Sequence, residues 1–138
     1  MSESENAALA RRFIDEIWNH RRSETVRELV HPLAVGHLEG FEVRGPEGVL
    51  PAWATLLGAF PDLKVIVQDL VAQGDTVVAR WTASGTHTGP HLGFPPTMKL
   101  VGFRGITWLR FSEGQIIESW DSWNQGRLFS DLQSGRKV

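Results

Sequence analysis

The chain has 138 residues, a length typical of one domain, and we predict a single domain over residues 1–138. Its 14 basic and 16 acidic residues give a net charge of -2 and form no basic stripe, which argues against partners such as nucleic acid or an anionic membrane. The lack of cysteine excludes disulfides, thiolate metal sites and thiol catalysis. An acidic start unlike a secretory signal, and no apolar run of membrane-spanning length, lead us to expect a cytoplasmic protein.

The first half of the chain is predicted to be mostly helical. Apolar residues at fourfold spacing predict a helix from Asn6 to His20. Ser23 is the predicted N-cap of a short second helix, and residues 33–39 are expected to form a short strand. A third helix is predicted to open at Gly45–Pro46, where its Pro51 fits only if it lies in the first turn.

The second half is predicted to consist of strands. Leu63 to Ala72 is rich in β-branched residues, and Thr76 to Ser84 alternates between apolar and polar residues. The segment between them, residues 73–75, has the composition of a short hairpin loop. A loop rich in Gly and Pro, residues 85–97, leads into a long alternating run from Met98 to Phe111. Helices followed by an antiparallel meander predict an α+β fold.

The final strand carries Asp121, an unusual residue for a strand because its carboxylate competes for local backbone hydrogen bonds. Counting by twos places Ile117, Ser119, Asp121 and Trp123 on one face. Apolar neighbours would desolvate the carboxylate and raise its pKa, which makes it a usable proton acceptor and donor near neutral pH. An exposed Asp at the strand end, or one paired with an Arg, is the alternative.

The opposite face of the predicted sheet combines charged residues with Trp108 and Trp120. Exposed Trp among Arg and Glu is typical of a protein interface. We therefore expect a homodimer that forms through this outer face and includes Arg80. A solvated face with weak cross-strand ion pairs is the alternative.

Several segments occur in a familiar order along nearly the whole chain. They are residues 8–20, Leu29–Pro32, Ala59–Leu63, Arg80–Gly89, Leu92–Thr97 and Ile116–Asp121. Together they resemble the SnoaL-like polyketide cyclase family, within the nuclear transport factor 2-like superfamily. The resemblance implies a cone-shaped, curved antiparallel sheet wrapped around N-terminal helices, with a pocket inside.

The resemblance also implies a reaction. In the cyclases of the family, an Asp on the last strand deprotonates an acidic carbon of a polyketide ester, and the enolate closes a ring by intramolecular aldol addition, with no metal or cofactor. Asp121 matches that residue. The expected partner is therefore a small hydrophobic carbonyl compound. Enolate chemistry also needs hydrogen-bond donors for the enolate oxygen.

The chain departs from the cyclase pattern around Asp121. Cyclases tend to carry a His two residues before the Asp, where this chain has Ser119, and His or Gln on the preceding strand, where it has Gly105 and Thr107. Thr107 and Ser119 can still donate hydrogen bonds. His37, on the early strand, is expected at the pocket mouth, where it would bind an enolate oxygen or orient Asp121. A surface or capping role for His37 is the alternative.

The remaining candidates lie in the Gly/Pro loop and among the indoles. His87 and His91 are four residues apart, but no helix fixes them, so we expect no metal site and instead expect His87 to anchor the turn of a loop at the pocket rim. Four Trp residues are expected to wall a hydrophobic pocket, with core packing as the alternative. They are Trp18, Trp53, Trp81 and Trp123.

Two classes of function follow from these observations. The first is a cofactor-free enzyme, a cyclase, isomerase or dehydratase, acting on a hydrophobic carbonyl compound. The second is a non-catalytic small-molecule-binding or scaffold protein of the same fold. An open cavity beside a buried Asp121 with hydrogen-bond donors favours the enzyme, whereas a cavity filled by Trp and Phe favours the binding protein.

Overall fold

The computed structural model describes residues 1–134, which contain four α-helices, one π-helical turn and one six-stranded sheet. The helices are α1 (Glu3–Ile14), α2 (Ser23–Leu29), α3 (Gly45–Ala59) and α4 (Gln125–Gln133), and the π-helical turn (Asp15–Asn19) follows α1. The strands are β1 (Val30–Leu38), β2 (Phe41–Arg44), β3 (Lys64–Gln73), β4 (Thr76–Thr86), β5 (Leu100–Ser112) and β6 (Gln115–Trp123). The predicted α+β class is confirmed.

The strands follow the order β2-β1-β6-β5-β4-β3 in a curved, open sheet. From β3 to β6 the chain forms the predicted antiparallel meander, and the hairpin between β3 and β4 turns at Gly74, whose φ is +58°. The sheet departs from the expected antiparallel arrangement at one pair, because β1 runs parallel to β6. This pairing encloses β6, the strand of Asp121, between β1 and β5.

Helix α1 begins with a capping box, in which Ser2 and Glu5 satisfy each other's backbone N–H groups. The predicted helix from Asn6 to His20 continues past α1 as the π-helical turn. In the middle of that turn, the Ile17 carbonyl accepts a hydrogen bond of 2.7 Å from the Trp53 indole of α3. The contact joins the π-helical turn to α3.

Two local predictions about the helices are corrected. Ser23 is the first residue of α2 rather than its N-cap; Arg22 occupies the cap position, and its side chain makes no capping hydrogen bond. Pro51 lies inside α3, beyond the first turn, so the helix lacks one backbone donor there. The sequence analysis also missed two short elements, β2 and α4. No helix within residues 1–134 is long and apolar enough to cross a membrane.

The two faces of the sheet differ as predicted. The inner face is buried against the helices, and on β4 its residues are Val77, Ala79, Trp81 and Ala83. The outer face exposes large apolar side chains: Ile106 is 45%, Trp108 48% and Trp120 37% accessible. One predicted inner-face residue is wrong: Ile117 was placed on the face of Asp121, but Ile116 is the buried residue. The reason is a bulge between β5 and β6, which pairs Phe111 with Ile116.

Candidate active site

A cavity of about 450 Å³ lies between the inner face of the sheet and the helices. Its size is in the range of small-molecule sites. The walls are mostly aliphatic and aromatic, and a few polar residues interrupt them. These polar residues are Glu39, Thr55, His91, Thr107, Ser119, Asp121 and Gln125.

Asp121 lies in the wall of this cavity, directly opposite Thr107 of β5. Thr107 Oγ1 donates a hydrogen bond of 2.6 Å to Asp121 Oδ1. The same Thr107 oxygen accepts a hydrogen bond of 2.9 Å from the Trp81 indole N–H. A hydroxyl has one hydrogen, so the incoming bond from Trp81 leaves that hydrogen free to point at the carboxylate.

Burial raises the pKa of the Asp121 carboxyl above its ordinary value. The hydrogen bond from Thr107 acts in the opposite direction, because it stabilises the charged form, and the negative charge of Glu39 adds to the increase. Asp121 keeps some accessible surface and lines the cavity, so the carboxylate is enclosed by protein yet open to a ligand. A carboxyl in this setting can accept a proton from a bound ligand and return it.

Ser119 lines the same cavity, two residues before Asp121 on the same face of β6. In the parallel pairing it lies beside Gly36 of β1. A Cβ atom at Gly36 would come within 3.2 Å of Ser119 Oγ and 2.9 Å of Val43 Cγ2. Glycine at this position therefore leaves room for the Ser119 hydroxyl next to Asp121.

The four predicted indoles, Trp18, Trp53, Trp81 and Trp123, all line the cavity. Trp123 packs on Phe103 at 5.0 Å, and Trp81 meets the same ring edge-on at 6.1 Å. Gly105 lies between the two indoles: a Cβ there would be 2.6 Å from Trp81 Cζ2 and 2.8 Å from Trp123 Cβ. The absence of a side chain at Gly105 leaves room for Trp81 to reach Thr107, two residues further along β5.

The structure does not bring His37 together with Asp121. The His37 ring lies 2.8 Å from Glu118, 2.9 Å from Glu42 and stacks on Trp120 at 5.2 Å, all on the outer face. Strand alternation explains this position, because neighbouring residues of β1 point to opposite faces. We therefore leave His37 out of the proposed catalytic set.

His87 is fully buried, and among the described residues it is not part of the cavity wall. Its Nδ1 accepts a hydrogen bond of 3.1 Å from the Thr97 backbone N–H, which ties together the two ends of the Gly/Pro loop. Burial lowers the pKa of the His87 imidazole. This position suits the expected anchoring role.

His91, in contrast to His87, lines the cavity. Within residues 1–134, no group of three His, Asp or Glu residues could hold a metal ion.

The sequence analysis missed one ionisable residue of the cavity, Glu39. This residue lies in the turn between β1 and β2 and lines the cavity. The sequence signal that could have located Glu39 is the glycine that follows it, because glycine favours tight turns. In the structure, Gly40 has a φ of +89°, which is typical of such a turn. Because the sequence analysis did not predict β2, it did not recognise the turn that precedes this strand.

Comparisons with known proteins find one family and a group of similar structures. The model of the SnoaL-like polyketide cyclase family matches residues 8–132. A solved structure from Jannaschia sp. CCS1, assigned as a SnoaL-like polyketide cyclase, is 26% identical, with a TM-score of 0.89 over 97% of this chain and 95% of that one. No curated protein matches the chain significantly.

Two structures from Streptomyces are also similar. AclR from Streptomyces galilaeus, a proposed hydroxylase, is 30% identical, with a TM-score of 0.86 over 99% of this chain and 86% of that one. IdmH from Streptomyces antibioticus, a proposed polyketide cyclase, is 32% identical, with a TM-score of 0.77 over 96% of this chain and 99% of that one. The fold is therefore shared by proteins that are assigned to different reactions.

Proposed function

This chain belongs to the SnoaL-like polyketide cyclase family, and from that premise we propose that it is an enzyme in which Asp121 removes a proton from a carbon next to a carbonyl group. The substrate is a small hydrophobic carbonyl compound held in the cavity. The observation that carries the proposal is the position of Asp121 in the cavity wall, with its pKa raised by burial and one oxygen held by Thr107.

The first step is proton transfer from the carbon acid to the carboxylate. Because Thr107 bonds Oδ1, Oδ2 of Asp121 is the better placed oxygen to accept the proton. The electron pair of the broken C–H bond moves towards the carbonyl oxygen and forms an enolate. A raised carboxyl pKa is closer to the pKa of the weak carbon acid, and the smaller difference between the two pKa values favours the proton transfer.

The second step decides between cyclisation and isomerisation. In a cyclisation, the enolate carbon attacks a second carbonyl carbon of the same molecule, a C–C bond forms, and the resulting alkoxide takes back the proton from Asp121. In an isomerisation, the proton returns to a different carbon. Either path regenerates the carboxylate, and the Ser119 hydroxyl on the same face can donate a hydrogen bond to an oxygen that becomes negative.

The apolar wall has its own part in this proposal. Indole and phenyl rings around the cavity hold a flexible hydrophobic chain in a folded shape, which brings the two reacting carbons close together. They also exclude water, so that hydrogen bonds to the developing negative charge are stronger than in solution.

A non-catalytic binding protein is the second candidate. One observation favours it: within residues 1–134, the hydrogen bond that reaches Asp121 comes from a single donor, Thr107. In addition, Ser119 replaces the His that cyclases tend to carry there, and Gly105 and Thr107 replace the His or Gln of the preceding strand. Proton transfer to carbon separates the two candidates, since a binding protein has no need of it.

The test is hydrogen–deuterium exchange at the α-carbon of 2-tetralone, a neutral hydrophobic ketone, followed by NMR in D₂O. We expect the protein to accelerate exchange and Asp121→Asn to slow the accelerated rate by roughly 100-fold to 10,000-fold. Asp69→Asn is the matched control, because Asp69 is exposed on β3 and its backbone hydrogen bond from Leu70 is retained by Asn.

Full exchange activity in Asp121→Asn would contradict the proposed role of this carboxylate. Binding of 2-tetralone without any acceleration of exchange would support the binding-protein candidate. Equal losses in the Asp121 and Asp69 variants would indicate a general effect on folding rather than catalysis.

A further inference from the structure

Acidic residues outnumber basic ones among the described residues of the cavity wall. Among the described residues that line it, two are acidic, Asp121 and Glu39, one is an imidazole, His91, and none is Lys or Arg. Most of the other lining side chains are aliphatic or aromatic. Within residues 1–134, the lining therefore offers no Lys or Arg side chain that would pair with a negatively charged ligand.

Glu39 occupies the solvent-facing end of this cavity. It follows directly on the end of β1, in the turn to β2, and it is exposed while also lining the cavity. The parallel pairing of His37 with Trp120 places Leu38 and Asp121 at the next position of the two strands, so Glu39 lies near the Asp121 end of β6. The negative charge of Glu39 also contributes to the raised pKa of Asp121.

A negative charge at the mouth of an apolar cavity affects ligands of different charge in opposite ways. A carboxylate that enters loses its hydration, finds no cationic partner and is repelled by Glu39. An ammonium group is attracted by the same charge and also by the faces of the indole rings, which carry partial negative charge. A neutral ligand of the same shape is affected by neither.

We propose that Glu39 makes the cavity selective for ligand charge, so that it takes neutral or ammonium-bearing organic molecules and rejects carboxylates of similar shape. The proposal rests on the cavity named in the proposed function as a ligand site. It does not depend on proton transfer by Asp121.

The test uses three probes of similar size: phenyltrimethylammonium, tert-butylbenzene and phenylacetate. Binding is measured at pH 8 by the quenching of indole fluorescence and by calorimetry. In the wild type we expect phenylacetate to bind at least about tenfold more weakly than tert-butylbenzene, because its carboxylate loses hydration and is repelled by Glu39. The difference from phenyltrimethylammonium should be at least as large, since the ammonium group also gains cation–π attraction. Glu39→Gln should strengthen phenylacetate binding and weaken phenyltrimethylammonium binding, each several-fold, with tert-butylbenzene unchanged.

Glu42→Gln is the matched control. Glu42 is also an acidic residue close to this turn, but it contacts His37 on the outer face and does not line the cavity. Its substitution should leave the order of the three probes unchanged. Because tert-butylbenzene carries no charge, its affinity also reports whether the cavity of each variant is intact.

Four results would overturn the proposal. Wild-type protein would bind phenylacetate as tightly as tert-butylbenzene, or bind none of the three probes. Alternatively, Glu39→Gln would leave the relative affinities unchanged, or Glu42→Gln would change them to the same extent. Failure of the deuterium-exchange test with the probe order retained would contradict the enzymatic role alone.

Discussion

Thr107 and Asp121, on neighbouring strands, are joined by a hydrogen bond of 2.6 Å from hydroxyl to carboxylate. A hydroxyl that donates to a carboxylate stabilises the charged form, whereas burial of the same group favours the neutral form. Burial is the larger of these two effects, and the negative charge of Glu39 adds to it, so the pKa of Asp121 is raised. The chemistry proposed for the cavity depends on this balance.

Removing the hydroxyl should shift the balance further towards the neutral acid. We predict that Thr107→Val raises the pKa of Asp121 and moves the inflection of the exchange rate against pH to a higher pH. The substitution also leaves the Trp81 indole N–H without its acceptor, which should lower the free energy of unfolding by about 1–3 kcal/mol. The pH profile of 2-tetralone exchange and urea unfolding measure the two effects.

Thr107→Ser is the control for this prediction, since it keeps the hydroxyl and removes only a methyl group. We expect its inflection to stay at the wild-type pH. An inflection in Thr107→Val that moved to lower pH, or did not move, would show that Thr107 has no part in setting the pKa of Asp121.

The raised pKa of Asp121 also predicts how stability depends on pH. The folded protein holds this proton more tightly than the unfolded chain, whose carboxyl has an ordinary value near 3.8. The stabilisation from Asp121 is therefore complete below that value and is lost as pH rises through the folded-state pKa. Asp121→Asn removes the titrating group, so the variant should gain stability relative to the wild type as pH increases from acid to neutral.

Urea unfolding of the wild type and of Asp121→Asn, from pH 4 to pH 7, measures this difference. Comparing the two proteins at each pH cancels the contribution of all other titrating groups. A difference that stays constant with pH, or that favours the wild type more at neutral pH, would contradict a raised pKa for Asp121.

Gly105 is predicted to be essential to the packing of the cavity wall. In Gly105→Ala the new methyl group would lie 2.6 Å from Trp81 Cζ2 and 2.8 Å from the Ser122 carbonyl oxygen. We expect a loss of about 1–3 kcal/mol in unfolding free energy from overpacking. Displacement of Trp81 should also disturb Thr107 and slow exchange.

Gly102→Ala, on the same strand, is the matched control. Its new methyl group would approach nothing closer than the Ala83 carbonyl oxygen at 3.7 Å. We expect close to wild-type stability and exchange for this variant. If the two variants were equally stable, the packing of indoles around Gly105 would not be as tight as the structure indicates.

On the outer face, we propose that Trp108 and Trp120 form the centre of a homodimer interface that also includes Arg80. The two indoles meet edge-on at 6.4 Å and are both exposed. Sedimentation should give twice the chain mass of 15.4 kDa. Trp108→Glu should weaken dimerisation by roughly 30-fold or more, the effect of losing an interface hot spot.

Leu33→Glu provides the comparison for the interface. Leu33 is 81% exposed and lies where the pairing of β1 with β6 is interrupted, away from the two indoles. This variant should stay dimeric. A wild-type protein that sediments as a monomer at micromolar concentration, or a Trp108→Glu variant that remains a full dimer, would contradict the proposed interface.

Features that depend on neighbours along the chain could be predicted from the sequence. The alternation of β6 placed Asp121 and Ser119 on the inner face, because side chains of a strand point to opposite sides at every step. The composition of the segment around Gly74 located the hairpin, since glycine adopts a positive φ without strain. The α+β class followed from the order of the helical and strand patterns.

The tertiary structure alone decided which distant residues meet. Trp81 and Thr107 are 26 positions apart, and their contact depends on the register between β4 and β5 and on the space left by Gly105. His37 was expected near Asp121, but the parallel register of β1 on β6 directs its ring outward, and Glu39 lines the cavity instead. Register between strands is set by bulges, turns and the packing of whole faces, and a shift of one residue exchanges the inner and outer sets of side chains.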